Sequence, residues 1–93
     1  PLPYGTRLTP GEKLVADIVR RAGDEGISVL DIADMIYVND DDPPAMPQRT
    51  IWVQIYHINL KITPKGYRIV NRARGGGPRG ASGEYVLRRV AAQ

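Results

Sequence analysis

The sequence predicts an α+β fold in which three helices are followed by a two-stranded β-hairpin. Three observations carry this. A capped helix start stands at Thr9, four isoleucines recur at helical spacing between residues 51 and 62, and two β-prone segments flank a glycine-rich ribbon late in the chain. The 93 residues suffice for one small domain with a single core. The expected organisation is one domain over residues 1–93, with an N-terminal arm at 1–7 and a flexible hairpin loop at 72–83. A start at Pro1 without Met suggests a processed or excised chain.

The first helix is expected over residues 10–22. Thr9 suits the N-cap, Pro10 the first helical position, and Glu12 can close a capping box. Leu14, Val15, Ile18, Val19 and Ala22 form an apolar face, Arg20 and Arg21 favour the carboxyl end of the dipole, and Gly23 can end the helix. The second helix is expected over 29–37. Ser28 serves as cap with Asp31 three residues on, and Val29, Leu30, Ile32, Ala33 and Ile36 make its apolar face. Three aspartates followed by Pro43, Pro44 and Pro47 exclude regular structure in the next segment, which reads as a loop.

The third helix opens at Pro47 or Gln48 and runs to about Lys61. On a helical wheel Ile51, Ile55, Ile58 and Ile62 share one stripe, which must face the core. The opposite face then holds Arg49, Val53, Tyr56, His57 and Leu60, with Trp52 and Asn59 on one flank. A strand competes for this β-branched segment, but strict alternation fails. Thr63-Pro64-Lys65-Gly66 is turn chemistry, and residues 67–72 and 84–90 have strand composition.

The ribbon between those strands, Gly75-Gly76-Gly77-Pro78-Arg79-Gly80, matches G-x-G-x-x-G, and Gly75 to Ser82 half-matches a phosphate loop. Both motifs work by feeding a helix whose amino terminus faces phosphates. Here a strand follows, Ala81 stands where the lysine is needed, and Glu84 is the lone acid downstream. A hairpin loop carrying Arg72, Arg74 and Arg79 fits a polyanion better, since arginines on mobile backbone can pair with phosphates or enter a narrow minor groove. A solubilising hairpin tip is the plainer alternative.

Charge is distributed unevenly. Residues 24–42 hold seven acids and no Lys or Arg, whereas residues 43–93 hold nine bases against Glu84 alone, within a net charge of +3. That asymmetry suggests nucleic acid on one side and something else on the other, with two solvated faces as the alternative. The chain has no cysteine and one histidine. Disulfides are excluded, no metal-ligand spacing is present, and neither Ser28 nor Ser82 has a base to activate it. No enzyme activity, cofactor, metal or membrane span is expected, and the composition suits a cytoplasmic protein.

The order helix, helix, loop, helix, hairpin is that of a winged helix-turn-helix domain. Leu8-Thr9-Pro10-Gly11-Glu12 resembles the L-T-x-x-E opening of the OmpR/PhoB-type output domain of response regulators. Arg49-Thr50-Ile51-Trp52-Val53-Gln54-Ile55 resembles that family's R-T-V-D-V-H-I, and Ile58, Lys61 and Ile62 fall where it places Leu, Lys and Leu. Lys65-Gly66-Tyr67-Arg68-Ile69 and Gly83-Glu84-Tyr85-Val86-Leu87 are similar to the segments entering and closing the wing. The likeness spans roughly residues 8–88. It implies sequence-specific binding of double-stranded DNA by a transcriptional regulator. Arg49, Thr50, Val53, Tyr56 and His57 would face the major groove, and Arg72, Arg74 and Arg79 the neighbouring minor groove and backbone.

The same likeness implies that the 39–46 loop, with Asp40, Asp41 and Asp42, can touch an RNA polymerase subunit; a solvated connection is the plainer reading. Trp52 departs from an acidic position of the family and Asn59 from an arginine. The 93 residues hold no receiver domain, so phosphorylation control is not implied. The apolar character of Val53, Tyr56, Leu60 and Trp52 supports a different class of function, a winged-helix module for protein–protein contact.

Overall fold

The computed structural model describes residues 7–72 and 84–91. Its architecture is α+β with a winged-helix topology: α1 (Pro10–Ala22), α2 (Val29–Tyr37) and α3 (Pro47–Ile62), then an antiparallel hairpin of β1 (Tyr67–Asn71) and β2 (Tyr85–Arg89). Short 3-10 turns at Gly23–Glu25 and Thr63–Lys65 follow α1 and α3.

Local chemistry accounts for the helix ends. Thr9 Oγ1 accepts from the Glu12 N–H at 3.2 Å, and Glu12 Oε1 accepts from the Thr9 N–H at 3.0 Å, closing the capping box. Ser28 Oγ accepts from the Asp31 N–H at 3.1 Å and starts α2. α1 ends at Gly23, whose φ of 67° few other residues adopt.

α3 is the central element, packed on α1, α2 and β1. All four isoleucines of its stripe are buried, Ile51, Ile58 and Ile62 completely. Each such side chain is worth about 1.5–3 kcal/mol over the exposed state. They meet Val15, Ala16 and Val19 of α1, Val29, Ile32 and Ala33 of α2, and Ile69 of β1 in one cluster. Leu14 and Leu30, also expected in the core, are 48% and 50% exposed. Each sits at the edge of an apolar arc that is wider than the contact its helix makes.

The hairpin pairs Ile69 with Leu87, Arg68 with Arg88 and Tyr67 with Arg89. Ile69, Tyr67, Tyr85 and Leu87 share the face laid on the core. Each outer edge of the hairpin is met at one residue. Ile27 exchanges two backbone hydrogen bonds with Tyr85, 2.8 and 3.1 Å, so a single residue serves as a third strand. On the β1 side Asn59 of α3 does the equivalent with its side chain. Its Oδ1 accepts from the Ile69 N–H at 2.8 Å, and its Nδ2 donates to the Ile69 carbonyl at 3.0 Å.

Candidate nucleic-acid interface

α3 can present a surface only where it is not buried. Val53, Tyr56 and Leu60 are 47%, 61% and 58% exposed, and Arg49 and His57 are exposed beside them. The helical wheel therefore placed this face correctly. Thr50 is half-buried, and its hydroxyl donates back to the Met46 carbonyl at 3.2 Å. The rings of Tyr56 and His57 meet edge to face at 5.4 Å between centroids.

Trp52 does not join this face. It packs, half-buried, against the core, and its Nε1–H is buried with no hydrogen-bond partner. Trp52 was expected on the flank of a docking patch; about 60° from Ile55 on the wheel, its indole is drawn into the core margin and only partly exposed.

The surface continues onto the hairpin. A shallow groove of about 270 Å³ joins Tyr56, Asn59 and Leu60 of α3 to Thr63, Pro64 and Arg68. Arg68 and Arg88 stand directly opposite each other in the hairpin, both exposed, on the face they share with Val70 and the buried Val86. Like charges in that register cost rather than contribute stability. Arg68 donates to Thr63 Oγ1 at 3.1 Å, and Arg88 lies 3.8 Å from Asp24. These two arginines escape a reading of the sequence that attends to the ribbon. The signal for them is the alternation of Arg68 with Ile69, which puts the arginine on the face opposite Ile69.

Of the ribbon arginines, Arg72 is exposed and ion-paired with Glu84 at 3.0 Å, just beyond the paired strands. Arg74 and Arg79 lie outside the described residues. At the other end of α3, Arg49, Thr50 and Val53 line a second groove with Pro44, Ala45 and Met46. Asp40, Asp41 and Asp42 are exposed on the connection from α2 to α3. Asp40 Oδ1 accepts from the Asp42 N–H at 2.8 Å, which fixes a local turn. Among the described residues none of these three aspartates forms an ion pair.

Lys61, in the last turn of α3, is drawn away from this surface toward α1, where its Nζ lies 2.6 Å from Glu12 Oε1. Burial pushes the Glu12 carboxyl up. The Lys61 hydrogen bond, the Thr9 N–H and the charges of Lys61 and His57 outweigh it, so the pKa falls below its ordinary 4.5.

Among the described residues there is no cluster of His, Cys, Asp and Glu able to hold a metal ion, and no helix is long and apolar enough to cross a membrane. No family model, curated protein or solved structure matches the chain.

Proposed function

We propose that this chain is a DNA-binding winged helix and acts as a transcriptional regulator that recognises duplex sequence through α3. The observation that carries the reading is the exposed face of Arg49, Val53, Tyr56 and His57, joined by a groove to Arg68, which has Arg88 across the hairpin. α3 would lie in the major groove, and the hairpin arginines, with those of the 72–83 segment, would hold the adjacent backbone and minor groove. The resemblance to OmpR/PhoB-type output domains supports the same reading. It also makes the Asp40–Asp42 connection a candidate contact for an RNA polymerase subunit.

The test is fluorescence anisotropy with random duplex DNA across a salt series. Binding through phosphates requires that log K fall with log salt at a slope of about −0.9 per phosphate neutralised. Replacing Arg72, Arg74 and Arg79 by alanine should make that slope shallower. An unchanged slope would remove the hairpin from the interface, and no binding at low salt would refute the reading.

One observation favours a second reading, a protein-interaction module. Val53, Tyr56 and Leu60 make an apolar strip on an exposed helix, where aromatic and aliphatic anchors are typical of protein contacts. Association with a protein partner that is insensitive to salt, with no affinity for duplex, would establish it in place of the first.

A further inference from the structure

If α3 enters the major groove as proposed, the side chains it leaves free decide which base edges it can read, and the inference rests on that DNA-binding reading. In the major groove guanine is read by paired donors from Arg or Lys, and adenine by the amide of Asn or Gln. Thymine alone among the four bases offers a methyl group. Thr50, Asn59 and Lys61 of α3 are engaged within the fold, and Gln48 and Gln54 are half-buried at its flanks. Asn59 uses both ends of its amide on the Ile69 backbone. Lys61 is held by Glu12. Gln54 lies against α1, with its Nε2 3.0 Å from where a Cβ on Gly11 would stand. The Thr50 hydroxyl donates to the Met46 carbonyl. Gln48 lines the groove between α2 and α3.

Between Arg49 at one end and Arg68 at the other, the middle of the exposed face is therefore Val53, Tyr56 and Leu60, with His57 beside them. We infer that Val53, Leu60 and the ring of Tyr56 read the C5 methyl groups of thymines, so that the substrate class is duplex DNA with thymine at the steps facing the middle of α3. Such contact excludes water from the methyl and from the side chain together. Guanine reading falls to the arginines at the two ends of the face, Arg49 and Arg68.

The experiment selects binders from a randomised duplex pool on the full chain. The enriched pool is then copied once with thymidine and once with deoxyuridine triphosphate, which differ by that methyl alone. Affinity for the uracil copy is expected to fall about fourfold for each methyl contacted. Val53→Ser should narrow the difference in affinity between the two copies, and the fold should tolerate it since Val53 is exposed and outside the core. Equal affinity of the wild-type protein for the two copies would overturn the inference while leaving DNA binding intact. Enrichment of sites lacking thymine would overturn it too. Failure to bind any duplex would overturn the DNA reading itself, and this inference with it.

Discussion

Replacing Asn59 by leucine removes the two hydrogen bonds that tie the outer edge of β1 to α3, at similar side-chain volume. The Ile69 N–H and carbonyl point away from β2 and have Asn59 as their partner, at 2.8 and 3.0 Å. Ile69 itself is only 3% exposed. A buried backbone group stripped of its partner costs about 1–3 kcal/mol, and because Asn59 is half-buried the lower part of that range applies to each of the two groups. The expected loss is about 2–4 kcal/mol, against a total near 5–15 kcal/mol for a chain of this size. That corresponds to a fall in Tm of roughly 10–25 °C.

Urea denaturation followed by circular dichroism measures it. Asn59→Asp sharpens the test. The new carboxylate keeps the acceptor for the Ile69 N–H but sets an oxygen against the Ile69 carbonyl. That contact raises the folded pKa of the carboxyl above its unfolded value, so the variant should regain stability relative to wild type as pH falls and a proton restores the donor. A cost below about 0.5 kcal/mol for Asn59→Leu, the level of an ordinary surface change, would refute the role given to Asn59.

The Glu12 carboxyl, with its pKa below the ordinary value, contributes stability that is present above the unfolded pKa and lost as pH falls through the folded one. Glu12→Gln should flatten the acid limb of the urea midpoint measured against pH, and Lys61→Met should move that limb toward neutral pH. Gly26→Ala is expected to cost at least about 1–3 kcal/mol in thermal melts. Gly26 has φ of 78°, and an added Cβ would stand 2.8 Å from Glu84 Cβ and 2.9 Å from Val86 Cγ1. Arg88→Gln relieves the cross-strand repulsion with Arg68 and should leave stability equal or raised by about 0.2–1 kcal/mol. The same change should reduce the salt slope of duplex binding by about 0.9 if the arginine touches a phosphate.

The helices were legible because their ends are fixed by neighbours in sequence. Thr9 with Glu12, Ser28 with Asp31, and Gly23 act within one turn, and the α3 isoleucines repeat at a period that admits one buried face. What the sequence could not show depends on partners far along the chain. Asn59 reads as a polar flank until Ile69 is set beside it. Arg68 and Arg88 become a pair only through the hairpin register. Ile27 gains a strand's role from Tyr85. A wheel turns Leu14 and Leu30 inward because it gives the direction of a side chain but not the width of the surface that meets it. The exposed face of α3 was found by subtraction from the isoleucine stripe. Trp52 lies at the margin of that stripe, and a wheel does not show how far the core draws it in.

The bridge between Ile27 and Tyr85 bears on the order in which the chain assembles. The residue that leads into α2 has its backbone partner in the last strand, so closing that contact spans most of the chain and carries the entropy of a long loop. The helices can associate early through contacts that are nearer in sequence. During synthesis, the entry to α2 has no partner for the Ile27 N–H and carbonyl until residues 85–89 have emerged and folded back on it. The hairpin is then the closing element of the fold, and a change that weakens β2 should loosen the start of α2 in the same step.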